Sequence, residues 1–148
     1  YREYFQDRGI FENAPYPGIA DVLHALRGTG KRLLVATSKP EIFARRILER
    51  FGLIDAFEFV AGANLDETRT RKHEVIAYAL ETCGICEKDS AVMIGDREHD
   101  VLGARREGLD CIGVLYGFGS REELLGAGAI ALAETVWDVA RLLGVPVQ

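Results

Sequence analysis

Long apolar runs are missing from this sequence. No stretch approaches the ~20 consecutive apolar residues that span a bilayer, and no signal-peptide pattern is present, so neither membrane insertion nor secretion is expected. Cysteine is scarce, with three residues in 148, an odd number. A disulfide framework is therefore not expected, and the chain reads as a cytoplasmic protein of a reducing compartment. An excess of positive charge is also absent. Eighteen Lys and Arg against 23 Asp and Glu leave a formal net charge of −5, which excludes a general electrostatic attraction to nucleic acid or anionic lipid. Any anionic ligand has to be held locally. Internal repeats and low-complexity tracts are lacking too. What is present is ordinary for one globular domain, 48% hydrophobic and 28% charged residues, in a chain long enough to bury about 70% of its unfolded surface.

Three short runs rich in Val, Leu and Ile, Arg32–Ala36, Ala91–Ile94 and Cys111–Leu115, are bounded by Gly or polar residues. They are too short for helices and read as strands buried on both faces, and Phe57–Ala61 adds a fourth. Apolar residues at 3.6-residue spacing predict helices over Gly18–Arg27, Pro40–Phe51, Lys72–Thr82, Asp100–Glu107, Arg121–Leu125 and Glu134–Leu143. Alternation of this kind implies an α/β fold with parallel strands and right-handed crossovers. Gly52, Gly84 and Gly108 stand where left-handed C-terminal caps are wanted, and Pro40 suits the opening of its helix. Tyr1–Pro17, aromatic and charged and closed by Pro15-Tyr16-Pro17-Gly18, reads as the tail of another element followed by a turn.

Ligands of open parallel sheets bind at the carboxyl ends of the strands, so the residues after each apolar run carry the functional expectation. Thr37-Ser38-Lys39-Pro40 places two hydroxyls and a cation at a helix start, either an ordinary N-cap or a phosphate cradle. Gly95-Asp96-Arg97-Glu98-His99-Asp100 places two carboxylates four residues apart. They can converge on one hard cation or simply favour the helix dipole. Lys72 opens a helix, where a cation opposes the macrodipole and invites a reason. A hydroxyl, a lysine and an acidic pair, each following a successive strand, form one site. Other patterns fail on context. Cys83 and Cys86 have metal-pair spacing without a second pair. Gly28-Thr29-Gly30-Lys31 lacks the first Gly and the hydroxyl of a phosphate loop, Gly126-Ala127-Gly128-Ala129 follows a helix, and the three His form no i, i+4 pair.

The ordered triple of Thr37-Ser38-Lys39-Pro40, a lysine 35 residues later and Gly95-Asp96-Arg97-Glu98-His99-Asp100 resembles motifs two, three and four of the haloacid dehalogenase superfamily. Its phosphoglycolate phosphatase-like branch is the nearest in look, and the likeness extends to the Tyr116–Ser120 loop. The resemblance implies a three-layer Rossmann-like parallel sheet with helices on both faces. It also implies a Mg2+-dependent phosphatase acting on a small phosphorylated metabolite such as phosphoglycolate, with no nucleic-acid or membrane partner. Thr37 matches the hydroxyl that bonds the phosphoryl group, and Lys72 the lysine that neutralises it. Asp96 matches the metal-binding acid and Asp100 the acid that positions the metal site, while Ser38 and Lys39 assist the phosphate. On that reading Asp96→Asn weakens magnesium binding, and Lys72→Ala removes activity without unfolding the domain.

The family's first motif, Asp-x-Asp on a central strand, supplies the nucleophile and the acid that protonates the leaving group. No Asp-x-Asp occurs in these residues. The expectation is therefore a core domain over residues 15–148 that lacks its central first strand and most of its helical cap, with residues 1–14 as the end of that cap. Such a sheet leaves backbone groups unpaired and an apolar slot uncovered. A non-catalytic phosphate- or metal-binding protein and a phosphomutase on the same scaffold are the alternatives.

Overall fold

The computed structural model describes residues 16–66 and 68–145. Residues 1–14, expected as the end of a cap, lie outside them. Six helices and five strands alternate among the described residues: α1 (Ile19–Gly28), β1 (Leu34–Pro40), α2 (Glu41–Arg50), β2 (Phe59–Ala63), α3 (Lys72–Thr82), β3 (Val92–Gly95), α4 (Glu98–Arg106), β4 (Asp110–Val114), α5 (Arg121–Ala127), β5 (Ala131–Ala133) and α6 (Val136–Leu142). All strand pairs are parallel. Leu34 pairs with Phe59, Val92 with Asp110, and Ile112 with Ala131.

The apolar stripe of each helix decides which face of the sheet it covers. Val22 and Leu26 of α1, Ala44 and Leu48 of α2, and Val136 and Ala140 of α6 share one buried cluster with Val35 and Val60. On the opposite face Ile76 and Leu80 of α3 pack with Val101 and Ala104 of α4 and with Leu124 of α5 over Cys111. The result is the expected three-layer arrangement. Gly18, at φ 81°, starts α1 in the left-handed region, and a Cβ there would stand 2.8 Å from the indole of Trp137. The Pro-Gly turn therefore docks the first helix against the last.

Hydrogen bonding divides the strands into a two-stranded sheet, β1 with β2, and a three-stranded sheet in the order β3, β4, β5. Between them lies an apolar cavity of about 510 Å³, lined by Leu33–Ala36 on one side and Ala91–Ile94 on the other. Residues of α1 and α6 close it on one face and residues of α3 on the other. This is the uncovered slot anticipated for a sheet without its central strand.

Two boundaries differ from expectation in ways that affect the site. The first strand runs through Thr37 to Pro40 with an irregularity between Ala36 and Pro40, so the hydroxyl motif ends a strand and the helix begins at Glu41. The fourth helix starts at Glu98 rather than Asp100, which puts Asp100 in its first turn. β5 was not expected at all. Three residues, Ala-Leu-Ala, are too short to show a period, and only their register against β4 makes them a strand.

Candidate active site

Thr37 ends the β1 side of the slot and is 2% exposed. Its Oγ1 accepts the Lys39 N–H at 3.1 Å, a local side-chain turn that carries the chain from strand to helix. Ser38 and Lys39 are half-buried at the same strand end. The neighbouring strand presses close against this turn. A Cβ on Gly62 would stand 2.7 Å from the Lys39 carbonyl oxygen and the Glu41 nitrogen, so the position admits no side chain.

Lys72, the first residue of α3, is 6% exposed. Its Nζ lies 2.8 Å from Asp100 Oδ1 and donates to the Ala36 carbonyl at 3.4 Å. The lysine thus joins the strand residue before Thr37 to the acidic loop on the far sheet. Gly103 of α4 makes the approach possible, because a Cβ there would stand 2.7 Å from Lys72 Cγ. The unfavourable dipole placement has its compensation in Asp100 and in Glu74. Glu74 Oε1 accepts the Arg71 N–H at 2.9 Å, and that amide, with the Thr70 amide, holds the Glu74 carboxyl below its ordinary range.

Asp96 and Asp100 are both fully buried. Asp100 Oδ2 accepts the amides of Asp96 at 3.0 Å and Arg97 at 3.2 Å. With Oδ1 on Lys72, both oxygens of Asp100 are engaged within the chain. Asp96 is held from the other side by the loop after β4: Phe118 N–H donates to its Oδ2 at 3.0 Å and Gly119 N–H to its carbonyl at 2.8 Å. Its Oδ1 is buried with no hydrogen-bond partner. A Cβ on Gly117 would fall 2.4 Å from Asp96 Oδ2, and one on Gly119 would fall 2.1 Å from the Asp96 carbonyl oxygen. Both glycines are required by space.

This arrangement fits a hard divalent cation. A buried carboxylate oxygen without a donor carries a large desolvation cost unless a cation meets it, and oxygen is the ligand that Mg2+ selects. Among the described residues no group of three or more His, Cys, Asp or Glu comes together to hold a metal. With both oxygens of Asp100 taken within the chain, Asp96 would bind the cation directly, while Asp100 orients it and pairs with Lys72. His99 is only peripheral, its half-exposed ring 3.8 Å from Asp100 Oδ1. Tyr116 lines the slot nearby, and burial, reinforced by the charge of Asp96, pushes its phenol well above the ordinary value.

The structure joins Lys72, Asp96 and Asp100 through this chain of bonds and sets Thr37 next to Ala36, whose carbonyl Lys72 reaches. The holding role of the Gly117–Gly119 loop was not expected from the sequence. Two glycines bracketing an aromatic just after a strand were the available signal. Cys83 and Cys86 are free thiols, and burial raises the Cys83 thiol.

Comparison with known proteins shows the family. A 5'-nucleotidase of Pseudomonas aeruginosa is 49% identical over 124 residues, 84% of this chain and 56% of the relative. The tyrosine-protein kinase PtkA of Mycobacterium tuberculosis is 40% identical over 147 residues, 98% of this chain and 50% of the relative. A phosphoglycolate phosphatase of Rhodospirillum rubrum is 36% identical over 131 residues, covering 88% and 54%. The crystal structure of a predicted phosphatase from Clostridium acetobutylicum superposes with a TM-score of 0.89 at 46% identity, covering 97% of this chain and 66% of that one. The chain thus spans about half the length of the curated relatives it matches. With residues 1–114 matching the model of the haloacid dehalogenase-like hydrolases, the chain belongs to that family.

Proposed function

We propose that the protein is a Mg2+-dependent phosphomonoesterase acting on a small phosphorylated metabolite, and that residues 15–148 are its catalytic core. The observation that carries this reading is the buried, donor-free Asp96 Oδ1 beside the buried Lys72–Asp100 pair. Phosphoryl transfer asks a protein for positioned charge more than for covalent chemistry. Thr37 donates its hydroxyl proton to a phosphoryl oxygen, and Lys72 neutralises negative charge on the phosphoryl group and on the attacking carboxylate. Ser38 and Lys39 add donors at the same strand end. Asp96 would hold the cation, which when bound neutralises phosphate oxygens, and Asp100 keeps Asp96 and Lys72 in place. The attacking carboxylate belongs to a strand seated in the slot between β1 and β3, where its C-terminal end reaches Thr37 and Asp96. It takes the phosphoryl group as an aspartyl-phosphate, the alcohol leaves with a proton from a second acid, and water then releases phosphate.

Phosphoglycolate and 5'-nucleotides are the first substrates to test, because relatives carry those names. The deciding experiment measures phosphate release from phosphoglycolate, nucleoside monophosphates and sugar phosphates, with Mg2+ and with EDTA. It compares the 148-residue chain with the same chain carrying an apolar strand and Asp-x-Asp upstream. Release only by the second, and only with Mg2+, is expected. No release from any ester by either protein overturns the phosphatase reading. The kinase relative favours a second reading, transfer to a protein tyrosine, which transfer of label from ATP to tyrosine would reveal.

A further inference from the structure

The N-cap residue of α4, Arg97, has a side chain that can only donate, while Asp100 in the first turn accepts the Asp96 and Arg97 amides. The free Glu98 amide is taken instead by Glu123 of α5, whose Oε2 accepts it at 2.8 Å. The same oxygen accepts Arg97 Nε at 2.9 Å. Glu123 is itself fixed, because its amide donates to Ser120 Oγ at 3.1 Å in the N-cap bond of α5. Between these anchors run Phe118 and Gly119, whose amides hold Asp96. The Cβ position of Gly119 lies 3.3 Å from Glu123 Oε2 as well as against Asp96. Glu123 therefore joins the two elements: its carboxylate holds Arg97 and Glu98 at the start of α4, and its amide holds Ser120 at the end of the loop after β4.

We infer that Glu123 is a positioning residue for the cation site at Asp96, holding the Asp96–Asp100 loop in place through the start of α4. This rests on the metal reading above. Capping across helices fixes the first turn of α4, from which Asp100 sets Asp96 and Lys72. An isolated surface ion pair would not do this, and would contribute little to anything. The carboxyl of Glu123 is held below its ordinary range, first by Arg97 and then by the Glu98 amide, so it is charged wherever the protein is folded at neutral pH.

The test reads metal affinity directly. Mn2+ binding to the 148-residue chain is followed by electron paramagnetic resonance for the wild type, Asp96→Asn, Glu123→Ala and Glu123→Gln. Glu123→Ala is expected to weaken Mn2+ binding by about tenfold or more, the usual effect of removing an outer-shell partner. Glu123→Gln, which keeps an oxygen for the Glu98 amide, recovers most of that loss. Wild-type affinity in Glu123→Ala overturns the assignment. Should Glu123→Ala fail to fold, Glu123→Asp decides alone, because it keeps the charge but withdraws it by one methylene: weakened binding upholds the role and unchanged binding removes it. A wild type that binds no Mn2+, or an Asp96→Asn that binds as well as the wild type, defeats the metal reading and the Glu123 role together. Intact wild-type binding with an indifferent Glu123→Ala defeats the Glu123 role alone.

Discussion

Lys72 Nζ and Asp100 Oδ1 stand 2.8 Å apart with both side chains buried, across the line where the sheet divides. Removing one partner leaves an uncompensated charge in the interior, which costs about 3–5 kcal/mol. Lys72→Ala is therefore expected to lower the thermal midpoint by about 10 °C. Burial thus adds a loss of stability to the expectation, drawn from the sequence, that this substitution acts without unfolding the domain. Lys72→Met with Asp100→Asn removes both charges and should restore much of the lost stability in a calorimetric scan. If Lys72→Ala melts with the wild type, the pair is not buried as described.

Asp96→Asn keeps the shape of the side chain and an oxygen for the Phe118 amide, so the fold should persist. The donor-free oxygen is replaced by an amide nitrogen that cannot bind a cation, and in a protein with the upstream strand present phosphate release should fall by about a hundredfold or more. Titrating that variant with Mg2+ up to millimolar concentration should not rescue it.

Space at two glycines predicts opposite outcomes. Gly119→Ala forces a Cβ to 2.1 Å from the Asp96 carbonyl oxygen, and overpacking against backbone should destabilise by about 1–3 kcal/mol. Within α5, a Cβ on Gly126 meets nothing within 4 Å, so Gly126→Ala should stabilise by about 0.4–1 kcal/mol. Urea denaturation of the two variants gives both signs in one experiment.

Thiol reactivity should follow burial. Cys86 is exposed, Cys83 half-buried with its thiol raised, and Cys111 buried. Iodoacetamide at pH 8 should alkylate Cys86 first and Cys83 slowly, and should reach Cys111 only after unfolding, as mass spectrometry of timed samples will show. Early labelling of Cys111 would contradict the packing of β4.

Much of this site was legible because chemistry in parallel α/β sheets follows strand ends. Thr37, Lys72, Asp96 and Asp100 each stand after an apolar run, and their residue types suit phosphate and a hard cation. Other features had no local trace. Glu123 reads as one more acid in the first turn of a helix, and only the tertiary approach of α5 to α4 gives it Glu98 and Arg97 as partners. That Asp100 spends both oxygens inside the chain is likewise a matter of distance. β5 escaped because three residues carry no period, whereas α3 was placed to the residue, its Lys72 start and Cys83-Gly84 end being marked in the sequence.

The slot also bears on the order in which the protein assembles. It divides the sheet where the sequence divides: β1, β2, α2 and α3 fall within Leu34–Thr82, and β3, β4, β5 and α4 to α6 fall within Val92–Leu142. Neighbours in sequence find one another quickly, so each half can form from its own contacts. Thr37 and Lys72 come from the first half, and Asp96 and Asp100 from the second. The geometry of the candidate site is therefore expected to be the last thing gained on folding and the first lost on partial opening, and native-state hydrogen exchange should release the Asp96 and Arg97 amides before those of Ile112 and Val114.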